Sequence, residues 1–209
     1  MERGEAAERS AEEPRGSLGG LAREVARRHA EQDAGIERLT QATGLGCPPG
    51  CGACCLSPEV ETSVADLLPL ACALFERGAA EAAQDRARGA RDAGPCVLYA
   101  PSADDPRQGR CTVYAERPSI CRLFGFASRR ARGGGLEHAA CRELRAAHPE
   151  ASARAAAAVA EGLAAPRIDA EPGAIALLLG EARPLPINHA LRLALERVGL
   201  LRALARRAP

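Results

Sequence analysis

Apolar positions Leu21, Val25, Ile36 and Leu39 recur near helical spacing from Leu18 onward, and the pattern stops at Gly44. This predicts a helix over 18–43. The preceding segment, 1–17, is rich in Glu, Arg, Ala and Ser, has no apolar period, and is expected to be disordered. Residues 44–55 are dense in Gly and Pro, which argues against both helix and strand. Over 62–93, Leu67, Leu68, Cys72, Leu74 and Phe75 form an apolar stripe that predicts a second helix. Pro69 belongs in its first turn, because proline inside a helix costs about 3 kcal/mol. Two short β-prone runs, 96–99 and 111–114, flank residues 101–110 and read as a hairpin. A third extended run is expected over 122–126. Gly133-Gly134-Gly135 reads as a hinge before a short helix carrying Cys141. Beyond Pro149 the pattern is helical throughout. It gives an Ala-rich helix over 150–165, a short one over 173–182, and an amphipathic one over 187–207 with Leu191, Leu195, Val198, Leu201 and Leu204 near one side.

Composition changes this picture in two ways. Hydrophobic residues are 46% of the 209 positions, but nearly half of them are Ala, and aromatics are 2%. Leu, Ile, Val and Phe make up only about a fifth of the chain, near the level where a core becomes thin. Something besides large side chains is therefore expected to hold the fold. Charge adds little. Lys and Arg total 28, Asp and Glu 27, for a formal net charge of +1, so no whole-chain field recruits nucleic acid or an anionic membrane. Every basic residue is Arg. The longest strongly apolar stretch, around 174–179, is far short of the roughly 18 residues that span a bilayer.

The nine cysteines are the chemistry-bearing feature. They are too sparse for a disulfide scaffold, which exceeds about 8% in short secreted chains. The polar N-terminus shows no signal-peptide core, so a cytoplasmic location with reduced thiols is expected. All nine lie between 47 and 141. Cys47, Cys51, Cys54 and Cys55 place four thiols in nine residues, in a Gly/Pro loop. Cys96, Cys111, Cys121 and Cys141 follow, each at the edge of a different short element. A C-x2-C turn aims two sulfurs at one point, with Gly52 supplying a permissive backbone. Adjacent Cys54 and Cys55 diverge on an extended chain, so either two metals divide eight thiols or a larger cluster collects some of them. Such a centre would stitch the hairpin and the Cys141 helix onto the loop. Metal binding contributes about 10–16 kcal/mol of folding free energy in small zinc peptides. The expected fold class is thus mainly α with a small irregular β-hairpin region organised around a Cys-ligated metal centre, an α+β arrangement. Its cysteine-cluster domain spans 44–148, with a helical extension over 149–209.

Arg110, Arg117, Arg122, Arg129 and Arg130 lie near these thiols and are able to donate N–H···S bonds, although a solvated arginine face is the blander reading. Cys72 falls on the helical stripe with Leu68 and Phe75 and is expected to pack rather than ligate. His138 and His148 are expected at surface or capping positions, and His29 and His189 on helix faces. No Ser-His-Asp order, P-loop or dinucleotide fingerprint is visible.

Five blocks carry a resemblance. They are residues 47–55, Pro95-Cys96-Val97-Leu98, Gly109-Arg110-Cys111-Thr112-Val113-Tyr114, Arg117-Pro118-Ser119-Ile120-Cys121-Arg122-Leu123-Phe124, and Ala140-Cys141-Arg142. Together they resemble the YkgJ-type cysteine-cluster family, a zinc- or iron-chelating domain named for its CxxCxxCC motif, over roughly 44–148. The first gap here is three residues rather than two. The resemblance implies metal ligation by Cys47, Cys51, Cys54, Cys55, Cys96, Cys111, Cys121 and Cys141. A related motif in a flagellin lysine N-methylase is associated with an iron–sulfur cluster. The expected cofactor is an iron–sulfur cluster or zinc, with a lean to the former because several Cys share one tight loop. Alternatives are an enzyme using the cluster in modification of another protein, and a thiol redox or metal-delivery protein. The C-terminal helices offer a face for a protein partner.

Overall fold

The computed structural model describes residues 17–207. The expectation for 1–17 lies outside them, apart from Ser17. That serine starts the first helix, α1 (Leu18–Thr43), by accepting a hydrogen bond from the Gly20 N–H at 3.0 Å. The helix ends at Gly44, whose left-handed φ of 70° lets its N–H bond to the Thr40 carbonyl. The buried stripe of α1 is rotated from the apolar positions predicted. It includes His29, Gln32, Gly35 and Thr43 alongside Val25 and Leu39.

The elements that follow are α2 (Ala53–Leu56), β1 (Glu61–Thr62), a 3-10 turn (Ala65–Leu67), α3 (Leu68–Glu76) and α4 (Ala80–Gly89). Next come β2 (Tyr99–Pro101), β3 (Gly109–Cys111), α5 (Ser119–Leu123), β4 (Ala127–Arg130) and β5 (Leu136–Ala139). The chain closes with α6 (Arg142–Ala147), α7 (Pro149–Ala160), α8 (Glu171–Ala176), β6 (Leu185–Pro186) and α9 (Ile187–Ala205). The fold is mainly α, and its strands form two-stranded antiparallel sheets, β1 with β6, β2 with β3, and β4 with β5.

Several expectations are corrected. The helix over 62–93 is divided, because Gly78 takes a φ of 67° between α3 and α4. The loop over 44–55 contains a helical turn. The first hairpin is shifted, with residues 96–98 in a turn closed by the Tyr99 N–H on the Cys96 carbonyl at 3.0 Å. The extended run expected over 122–126 is instead the end of α5 and a turn over 124–126. The triple glycine is the turn of a second hairpin rather than a hinge, and its strand pairs run from Ala127 opposite Ala139 to Arg130 opposite Leu136.

The thin-core expectation is also corrected. The largest apolar cluster joins α3, α4 and α9 through Leu68, Leu70, Leu74, Leu191, Leu195 and Val198, all at most 4% exposed. Ala83, Ala87, Ala190 and Ala194 are at most 1% exposed in the same cluster. Small side chains let these helices approach closely, so contact is gained without large residues. A second cluster holds Leu39, Leu45, Leu144, Ala155 and Val159 between α1, α6 and α7.

Candidate metal centre

The cysteine segments are held by backbone bonds that run between them. The Cys96 N–H donates to the Cys55 carbonyl at 2.8 Å, and the Gly109 N–H to the Gly50 carbonyl at 3.0 Å. Cys51 bridges Gln108, so the loop adds itself to the edge of the first hairpin. Cys111 sits opposite Tyr99 in that hairpin. The Tyr99 ring lies over two glycines. A Cβ on Gly52 would fall 2.2 Å from its hydroxyl, and one on Gly109 would fall 2.3 Å from the Ala100 carbonyl. Glycine is needed at both positions because a ring and a backbone occupy the space of the missing side chain.

Cys121 is placed by a buried polar network. Asp66 is fully buried, and its carboxylate accepts the Ser119 N–H at 3.0 and 3.1 Å and the Ser119 hydroxyl at 2.9 Å. It also accepts the Thr62 hydroxyl at 3.0 Å and lies 2.6 Å from His29 Nε2. Gln32 donates to Ser119 at 3.0 Å. One carboxylate thereby starts α5 from 53 residues away, satisfying the Ser119 N–H that would otherwise be orphaned. Arg122 is buried and donates Nε to the Arg117 carbonyl at 2.8 Å, and its other nitrogens to Asp33 and the Ala115 carbonyl. The arginine after Cys121 therefore fixes the loop before it. Cys141 begins α6 and packs against Gly125, where a Cβ would fall 2.8 Å from Cys141 Cβ.

The Cys-free C-terminal third takes part as well. Asn188 on α9 is fully buried. It accepts the Val97 N–H at 3.1 Å and donates to the Arg91 and Pro95 carbonyls at 3.0 Å each. It clamps the turn that presents Cys96.

These supports bring all eight motif cysteines to the wall of one cavity of about 240 Å³. Cys47, Cys51, Cys54, Cys55, Cys96, Cys111, Cys121 and Cys141 line it together with apolar Leu67, Leu70, Leu98, Val113, Ile187 and Leu191. Cys54 and Cys55 both reach it, because they sit on the helical turn α2 rather than on an extended chain. None of the eight forms a disulfide. Cys72 is absent from the lining and packs against the large apolar cluster. Among the described residues, no three Cys, His, Asp or Glu side chains are gathered as a ready-made ion-binding group.

His138 is half-buried, and its Nε2 donates to the Gly125 carbonyl at 3.0 Å, which leaves Nδ1 as a buried acceptor. Burial lowers its pKa below the usual histidine range. It lines a separate cavity behind Cys141 with Arg129 and Arg145. The surface or capping placement expected for it is therefore corrected.

The thiols are electrostatically divided. Cys55 hydrogen-bonds to Cys111 and Cys54, which pushes its own pKa strongly upward. The bond from Cys55 lowers Cys54 to about 6 and Cys111 to about 7. Desolvation raises Cys47 and Cys96 to about 11, and raises Cys121 well above the ordinary value. Each shift on Cys47, Cys96 and Cys121 also carries repulsion from neighbouring thiolates. Such a set mixes thiols that give up their protons readily with thiols that hold them, and a soft cation would displace the protons that remain. The donor set suits thiolate-loving metals, iron and zinc, far better than hard cations.

Residues 46–148 match the family model "CxxCxxCC: Putative zinc- or iron-chelating domain". Residues 46–148 are a CxxCxxCC-family domain. No curated protein and no solved structure matches it. The CxxCxxCC match ends at 148, yet Ile187 and Leu191 line the cavity and Asn188 clamps Cys96, so the chain beyond the matched residues completes the wall. No helix among the described residues is long and apolar enough to cross a membrane.

Proposed function

We propose that the cavity cysteines chelate a polynuclear metal centre, and that this centre is an iron–sulfur cluster. The observation that supports this most directly is the convergence of eight thiols, from segments spread over 47–141, on one apolar-walled cavity. A single tetrahedral zinc uses four thiolates at most and would leave half the set without a role. The vicinal pair and the dense loop suit a cluster, and the apolar walls limit water at the sulfurs. Cys47, Cys51, Cys54, Cys55, Cys96, Cys111, Cys121 and Cys141 are the ligand candidates. Their closure on metal takes side-chain rotation on a backbone already fixed by hydrogen bonds. Bound iron–sulfur would supply structural cross-linking and electron-accepting capacity. We place the protein in a reducing compartment such as the cytoplasm, where these thiols stay reduced. A partner protein docking on the C-terminal helices would meet exposed Leu200, Leu201 and Leu204.

The deciding experiment is anaerobic purification, followed by elemental analysis and a visible spectrum. Iron and acid-labile sulfide in matching amounts, with a brown colour, are expected. Colourless protein carrying two zinc ions overturns the cluster and keeps chelation. Metal-free folded protein overturns chelation itself.

A further inference from the structure

Five arginines lie near the thiols in sequence, and the structure separates them. Arg122 is buried with its donors used on Arg117, Asp33 and Ala115. Arg129 is exposed and donates to Glu137 at 2.7 Å. Arg130 is exposed, and Arg110 is exposed at the cavity edge. Arg117 differs from all four. Its side chain lines the cavity, and its guanidinium carbon stacks 3.8 Å from the centre of the Tyr114 ring. Its Nη1 donates to the Tyr114 carbonyl at 2.9 Å. Its Nε is buried and has no hydrogen-bond partner. A charged N–H donor left unsatisfied is costly, and the stacking on Tyr114 together with the Nη1 bond holds the guanidinium in place.

Eight cysteines line the same space, and a thiolate sulfur is an acceptor suited to that donor. We propose that Arg117 is a positioning residue of the metal centre, its Nε–H donating to a ligand thiolate and its charge offsetting the negative all-thiolate set. This rests on the chelation reading above. It goes beyond that reading by assigning a non-cysteine residue to the centre. N–H···S bonds to ligand sulfurs stabilise them against loss and, in iron–sulfur centres, raise the reduction potential.

The test uses the full chain, purified with its native metal, as wild type, Arg117→Gln, Arg117→Lys and Arg129→Gln. The readouts are the rate of metal transfer to excess chelator and, for an iron-loaded sample, the midpoint potential. Arg117→Gln is expected to release metal about tenfold faster or more, within the range for partners of metal ligands. Its potential is expected to shift negative. Arg117→Lys keeps the charge without the planar donor and should recover only part of both. Arg129→Gln should match wild type. If Arg117→Gln folds poorly, the partial effect in Arg117→Lys carries the test. Wild-type protein that holds metal, with both Arg117 variants releasing it at the wild-type rate, overturns the Arg117 assignment alone. Wild-type protein that holds no metal overturns chelation, and the assignment with it.

Discussion

The helical core and the thiol cavity solve the same problem by opposite means. Where α3, α4 and α9 meet, order comes from side chains that are interchangeable in kind. Ala and Leu pack closely, and most of the contact is apolar. Around the cavity, order comes from particular groups at particular places. Asp66 starts α5, Asn188 holds the Cys96 turn, and Arg122 ties the 115–117 loop to α1. The first region tolerates substitution that keeps volume, whereas the second fails when one partner is removed. The two share a wall, because Leu67, Leu70 and Leu191 belong to both. On the chelation reading, the apolar core would be a scaffold that precedes metal, and the cavity the part whose closure metal would complete.

The strongest test of this division is metal removal. Chelation of the loaded protein should raise amide hydrogen exchange across 47–55, 96–111 and 119–123 by orders of magnitude. The α9 amides around Ala194 and Leu195 should stay protected. Equal loss of protection in both regions would erase the distinction. The next largest effect is Leu195→Ala. Leu195 is 2% exposed in the core and does not line the cavity, so truncation should cost about 2–5 kcal/mol in a denaturant melt. Metal content per folded chain should not change. A fall in metal content would mean that the core and the centre form one cooperative unit.

These regions were unequally legible in the sequence. The helices α1, α7 and α9 follow from periodicity, because a long amphipathic stripe constrains itself. The separation of Cys72 from the other eight was legible for the same reason, since it lies on such a stripe with Leu68. The short elements were not. Residues 96–98 are β-prone yet form a turn, because Cys55 and Asn188 take their N–H groups. Residues 119–123 lack a strong helix signal yet are helical, because Asp66 satisfies their first turn from a distant segment. Asp66, Gln32 and Asn188 carried no motif. Only three-dimensional proximity reveals them, as it reveals which of five similar arginines faces the thiols. The thin-core expectation failed because composition counts residue size and not how closely small residues let helices approach.

Asn188→Ala probes the seam between the two regions. Asn188 sits on the core helix but spends its side chain on the cavity, with three bonds to residues 91, 95 and 97. Truncation leaves buried backbone groups unpaired, at about 1–3 kcal/mol. The loss should appear both as a lower melting temperature and as faster metal transfer to chelator. Stability lost with unchanged transfer would assign Asn188 to the core alone.

The smallest effect belongs to Cys72→Ser. Cys72 is half-buried against the α3/α4/α9 cluster and lies outside the cavity lining. Exchanging sulfur for oxygen keeps the shape and exposes a more polar atom to an apolar contact, so stability should fall by about 1 kcal/mol. Metal content and the visible spectrum should equal wild type, whereas Cys54→Ser in parallel should lose metal and stability together, because losing a ligand is losing folding energy. If Cys72→Ser also shed metal, a ninth thiol would have to be reaching the centre from the core side of the shared wall. The scaffold would then be part of the site it was taken to support.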